Sequence, residues 1–201
     1  MGCPNRNPQN RNSEGDYLEK PLALGAKPLL ELLYHVRRDD SVVGQVERDR
    51  AHKGEILHRS GIVFLTRSDG KVLLQHGSPK KKIFPDCFDS SCAFHVTFGE
   101  SYEQAAAREL TEEIGISAPL THLGKFFHHD TPENQMVAVF SCSSDQTLKV
   151  DENEASGATF YTREEADKVV ASQRTTPWLR DGWKLARDKL QEKIPFSLGR
   201  S

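Results

Sequence analysis

A chain of 201 residues with 36% apolar and 28% charged side chains can bury one core, so one domain with a tail is the expected organisation. The formal net charge of -2 gives no overall attraction to nucleic acid or an anionic membrane, and no apolar run approaches the ~20 residues a bilayer-spanning helix needs, so neither is expected as a partner. Cys3, Cys87, Cys92 and Cys142 show no zinc-type spacing, and with no leader ahead of them they read as reduced thiols of a cytoplasmic protein.

Residues 1–30 open on MGCPNRNPQNRNSEGD, rich in Asn, Arg, Pro and Gly, and close on the apolar patch LALGAKPLL. The first composition buries too little apolar area to offset chain entropy. The segment is therefore expected to be disordered or arm-like, with its patch available to pack on the domain or to help form a homodimer. MGC resembles an acylation start, but Arg6 stands where myristoylation needs Ser or Thr. The domain itself is expected over residues 31–195. LLYHV and VVGQVER flank RRDDS, which predicts a hairpin with an Asp-rich turn. GIVFLT and KVLLQH flank RSDG, a second hairpin signalled by Asp-Gly. The loop GSPKKKIFPDCFDSS leads into a strand CAFHVTF, and after a helix come the strands LTHLGKFFHHD, MVAVFSCS and ATFYT. EEADKVVAS and DGWKLARDKLQEK read as closing helices, with Thr176, Pro177 and Trp178 between them. Strands arriving as hairpins on either side of one helix predict a mixed α+β sandwich.

That helix lies within GESYEQAAARELTEEIGI, Gly99 to Ile116. Ser101 with Gln104 three places on forms a capping box, and Gly115 suits the position past the last turn, so the helix is expected over Tyr102–Ile114. At about 100° per residue, with Glu109 at zero, Glu112 falls near -60° and Glu113 near +40°, whereas Ala107, Leu110 and Ile114 fall between about 100° and 160°. These angles predict an acid arc separate from an apolar face. Three carboxylates so close repel one another, and Arg108 alone does not neutralise them. They form either a solvated acidic face or a site for hard divalent cations, which take oxygen ligands and bridge to substrate phosphates.

The same stretch resembles the Nudix box, with Glu100, Arg108, Glu109, Leu110, Glu112, Glu113, Gly115 and Ile116 at the family's fixed positions and spacing. The resemblance implies a Nudix-type α/β/α sandwich with a mixed β-sheet. It implies magnesium, or manganese, on Glu109, Glu112 and Glu113, and hydrolysis of a diphosphate linkage in a nucleoside diphosphate derivative or related small organic diphosphate. Glu112, Glu113 and Arg108 are then catalytic, Arg108 by orienting a box glutamate. Glu154 resembles the family's downstream loop glutamate that serves as ligand or base, with Glu152 its competitor. One position departs: the pattern's first glycine is Phe94, and phenylalanine does not readily take the positive φ open to glycine. Either the loop tolerates Phe94, or the metal site is altered and the protein is a non-catalytic nucleotide- or diphosphate-binding one.

Over residues 33–185 the chain is similar to the Nudix branch that includes isopentenyl diphosphate isomerase, through RDRAHKGEILHRSGIVFL, KVLLQHGSPKKKIFPDCFD and TTPWLRDGW. This resemblance puts His52, His58, His95 and Glu133 near the isomerase's metal ligands; packing, a second metal and substrate contact all stay open for them. It also puts Lys81 and Lys82 where relatives contact phosphate. The isomerase's protonating cysteine falls on Ala93 and its catalytic glutamate on Gln135, and neither side chain exchanges a proton near neutral pH. Cys92 is one residue out of register, on the opposite face of a strand. His76 follows Gln75 where relatives carry Arg, and His128, His129 and Asp130 are cleft candidates by adjacency alone. Hydrolysis is expected over isomerisation.

Overall fold

Ile62–Leu65 and Val137–Phe140 are buried at every residue, because the two strands that carry them pair in parallel at the centre of the sheet and are covered on both faces. The computed structural model describes residues 30–191 apart from 54, 55, 82, 131, 132, 152 and 173. The disordered or arm-like N-terminal segment, apart from Leu30, and the end of the expected last helix lie outside the described residues.

β1 (Leu32–Val36) and β2 (Val42–Glu47) form the first expected hairpin. A short helix, α1 (Arg48–Lys53), follows where the sequence reading saw no helix. β3 (His58–Thr66) and β4 (Val72–Gly77) share only the pair Thr66 and Val72, so the second hairpin is closed at its turn and splayed beyond it. The strands part because each finds another partner: β6 (Cys92–His95) lies against β3, whereas β4 pairs with the short β5 (Phe88–Asp89) and with β9 (Ala155–Tyr161). α2 (Tyr102–Ile114), β7 (Thr121–Asp130) and β8 (Glu133–Ser143) come between β6 and β9, and α3 (Arg163–Ala171) follows. The last helix, α4 (Pro177–Ala186), begins earlier than expected. Pro177 takes its first position, where a missing N–H removes no bond, so Trp178 lies on the helix rather than before it.

Among the described residues these strands form one mixed nine-stranded sheet. α2 packs Ala105, Ala106, Leu110 and Ile114 on one face, against Val63, Leu65, Phe94 and Phe140. α3 and α4 pack Ala166, Leu179 and Trp183 on the other, against Ile62, Phe64 and Val139. This is the expected α/β/α sandwich. No helix among the described residues is long and apolar enough to cross a membrane.

The ends of α2 are as expected. Gln104 donates its backbone N–H to Ser101 Oγ at 3.2 Å, Ser101 N–H donates to Gln104 Oε1 at 2.7 Å, and Gly115 takes φ 70°. Its faces are not. Ala107 is exposed, whereas Tyr102, Ala105 and Ala106 are buried. On the same wheel they sit at about 20°, -40° and 60°, which puts Glu109 and Glu113 inside the buried face instead of beside it. Small alanines let the helix approach the sheet over a wide arc, and two of the three acids are drawn in to half-buried positions at its edge.

Candidate functional site

Glu113 is the most enclosed of the box acids. Gln75 of β4 donates to it at 3.4 Å while the same amide nitrogen holds the Ser91 carbonyl at 2.6 Å, so the strand fixes where the carboxyl lies. Burial, with Glu109's charge adding, pushes Glu113 up to about 8. Burial also raises Glu109, which accepts Arg108 Nη1 at 2.7 Å. Arg108 forks onto Glu100 at 2.8 and 2.9 Å, tying the loop that enters α2 to the helix. Glu112 differs: its side chain is 60% exposed and turned towards Arg108 at 3.4 Å. Thus the acids are not held as one converged set; Glu109 and Glu113 face inward and Glu112 stays at the rim.

A half-buried carboxyl of this kind suits a divalent cation, which requires the ionised form. Adding magnesium at pH 7 is therefore expected to release about one proton per chain, an effect that fades above about pH 9. Calorimetry in buffers of different ionisation enthalpy measures it. Heats independent of the buffer would contradict the assignment.

A second group of ligand atoms lies on the opposite face of β6. His52 of α1, His58 of β3 and His95 of β6 bring their ligating nitrogens within 4.8 Å of one another. All three Nε2 atoms are shielded from solvent and lack a hydrogen-bond partner among the described residues. Two have their tautomer fixed. His52 Nδ1 donates to Glu133 at 3.0 Å and His58 Nδ1 donates to the Ile56 carbonyl at 2.8 Å, which leaves the Nε2 lone pairs inward. Burial lowers His58 to about 4 and holds His95 well below the usual range, so both imidazoles are neutral, the form a metal binds. Glu133 supports His52 from behind, and a polar string steadies it in turn: Ser60 donates to Gln135 at 2.8 Å, and the Gln135 amide donates to Glu133. Three orphaned imidazole nitrogens fit a divalent metal. At Gln135, both ends of the amide are thereby committed.

Between the two groups lies a cleft of two chambers that share Lys81, Asp89, Ala93 and Trp178 as wall, one at His52 and His95 and the other at Glu113. Lys81, Asp89, Glu154 and Trp178 line it together with His52, His95, Ala93, Phe94 and Glu133, and Lys81 and Asp89 continue into the chamber under Glu113. Lys81 Nζ pairs with Glu154 at 3.2 Å. Although burial pulls Lys81 down, Asp89 and Glu154 hold its pKa above the ordinary value. Lys82 and Glu152 lie outside the described residues. His76 bonds Ser156 instead of facing Glu113. His129 and Asp130 are exposed, and His128 is buried beside Trp178 and Asp181. Cys92 packs with the α2 layer, its thiol pushed well up by burial, and Ala93 faces the cleft. Gln75, Asp89 and Trp178 are not expected as site residues from the sequence, since each acts on a residue distant in the chain.

Phe94 is not among the residues with positive φ. It sits in β6 opposite Gly61 of β3, in extended backbone that any residue adopts. The position does not call for glycine's conformational freedom.

A family model described as the NUDIX domain matches residues 56–180. A prenyl-diphosphate phosphatase of Methanosarcina mazei is 32% identical over 157 residues, covering 75% of this chain and 92% of that protein. An isopentenyl-diphosphate Delta-isomerase of Serratia proteamaculans is 36% identical over 96 residues, covering 48% of this chain and 54% of the isomerase. The crystal structure of DR0079 from Deinococcus radiodurans superposes with a TM-score of 0.65 at 30% identity, over 75% of this chain and 96% of that one.

Proposed function

The chain belongs to the NUDIX family, and on that premise we propose that it is a magnesium- or manganese-dependent hydrolase that cleaves the diphosphate linkage of a small organic diphosphate. The observation that carries this reading is Glu113, a half-buried carboxyl held by Gln75 at the cleft wall and coupled to the charge of Glu109. Glu109 and Glu113 would hold the ion, with Glu112 joining from the rim. A divalent ion held by these carboxylates would supply charge neutralisation of the diphosphate and a lowered pKa for an attacking water. Arg108 sets the carboxylate of Glu109. Lys81 serves as a point charge for the diphosphate, and Glu154, its present partner, accepts the proton of the water. A second divalent ion fits His52, His58 and His95, with Glu133 fixing the His52 tautomer; this places charge at the other end of the same cleft.

Part of the cleft's further lining is apolar, with Ile62, Ile83, Ala93, Val137 and Trp178 beside the polar Arg48, Ser60 and Gln135. That surface favours an apolar organic group, in keeping with the prenyl-diphosphate phosphatase relative, over a polar one. Isomerisation is not favoured: Ala93 has no proton to give, and both ends of the Gln135 amide are committed to Ser60 and Glu133. The test is phosphate or diphosphate release from prenyl diphosphates and from nucleoside diphosphate derivatives, with magnesium or manganese. Turnover greatest on a prenyl diphosphate is expected. An allylic product from isopentenyl diphosphate, or no release from any of them, would overturn the reading.

A further inference from the structure

Asp89 touches no reacting group in the reaction outlined above, where it acts only through the charge of Lys81, yet it is a buried carboxyl, 8% exposed, on the wall common to both chambers of the cleft. It ends β5, opposite Gln75 of β4. Its two oxygens accept the indole N–H of Trp178 at 2.9 and 3.0 Å, and Oδ1 also accepts the Ser90 N–H at 2.7 Å. Trp178 lies 89 residues further along the chain, in the first turn of α4, so the bond is no local turn device. An indole N–H given to an ionised carboxylate makes a charge-assisted hydrogen bond, stronger than one given to a neutral carbonyl, and it ties the ring to β5.

The indole so held faces the cleft. Phe84 meets it edge-on at 5.1 Å between ring centres and is itself at φ 52°, a conformation a bulky residue keeps only where its surroundings impose it. Burying a carboxyl is unfavourable, and burial raises the pKa of Asp89, with Lys81 opposing. An acceptor placed here at that cost does more than satisfy one N–H.

We propose that Asp89 is a positioning residue for substrate selection: by holding Trp178 Nε1 it fixes the indole as the wall on which the organic group beside the diphosphate packs. The inference rests on the hydrolase reading and deepens it, naming the pair that makes the cleft select an apolar group.

The test is steady-state kinetics on alkyl diphosphates running from methyl to a prenyl chain, with the wild type, Asp89→Asn, Asp89→Ala, Trp178→Phe and the double variant Asp89→Ala with Trp178→Phe. Asp89→Ala is expected to raise KM for the prenyl substrate by ~30-fold, with kcat within ~3-fold, and to raise KM for methyl diphosphate by no more than ~3-fold, the share due to the Asp89 charge beside Lys81. Asp89→Asn keeps an oxygen acceptor and should stay nearer the wild type. In the Trp178→Phe background, Asp89→Ala should add little, because the partner N–H is already gone. An equal effect at every chain length, or effects that add in the double variant, overturns the proposal. Equal falls in melting temperature for Asp89→Asn and Asp89→Ala that track the kinetic losses would overturn it also. If the wild type hydrolyses none of these compounds, the hydrolase reading fails alone. The same comparison then runs on the affinity of methylene-bridged analogues, read by tryptophan fluorescence, where an affinity independent of chain length in the wild type overturns the inference.

Discussion

Glu113→Gln is expected to lower diphosphate hydrolysis by about 10³-fold or more, about 4 kcal/mol of barrier, with no fall in melting temperature. The two halves of this expectation have separate causes. Activity falls because an amide is a poor ligand for a hard cation that needs an ionised oxygen. Stability holds because the folded, metal-free protein already keeps this carboxyl protonated at neutral pH: burial and Glu109 push it up to about 8, against an ordinary value of 4.5. The sign follows from linkage. Between about pH 4.5 and 8 the unfolded chain loses the proton and the folded chain keeps it, so Glu113 weakens the fold progressively as pH rises through that window. Glutamine has the same shape and no proton to lose. Thermal melts in chelator should therefore show Glu113→Gln equal to the wild type near pH 4.5 and more stable by pH 8. A variant that keeps a tenth of the activity, or that melts lower at pH 8, contradicts the assignment.

Local signals in the chain were legible and long-range ones were not. The capping box of Ser101 and Gln104, the Gly115 stop and the box spacing are all set within one helix, so the bounds of α2 follow from its own residues. The first hairpin is equally local. By contrast, β3 and β4 splay because β6 and β9 compete for them, which no turn signal announces. The helical wheel gave the right angles and the wrong faces, since counting only Ala107, Leu110 and Ile114 as apolar overlooked how Ala105, Ala106 and Tyr102 widen the buried arc over Glu109 and Glu113. His52, His58 and His95 were named from a resemblance, but their convergence needs α1, a helix unforeseen in the sequence, to bring His52 over the sheet. Asp89 and Trp178 lie in stretches that carry the resemblance, but nothing in the sequence pairs them. Their relation exists only once β5 and the start of α4 are in place.

Phe94→Gly, the change that restores the family's pattern, is expected to destabilise the protein by about 3.5–6 kcal/mol and to gain no activity. Removing a buried phenylalanine leaves a cavity worth roughly 3–5 kcal/mol, and glycine within a strand adds about 0.5–1 kcal/mol of chain entropy. Phe94 is 5% exposed in the α2 layer of the core. Its ring is accommodated across the strand pair by Gly61: a Cβ there would come 2.4 Å from Phe94 Cζ and 3.0 Å from the Ala138 carbonyl. Gly61→Ala should therefore drive the ring from its seat and cost about 1–3 kcal/mol by itself. The two positions are coupled through one volume, so Gly61→Ala placed on Phe94→Ala should cost under about 1 kcal/mol, and denaturant unfolding of the four proteins measures the difference. Additive losses would mean that the ring does not depend on Gly61. Coupling of the predicted size would mean that the departure at Phe94 is answered on β3, in the packing between strands, and that it leaves the conformation of the loop entering α2 unaltered.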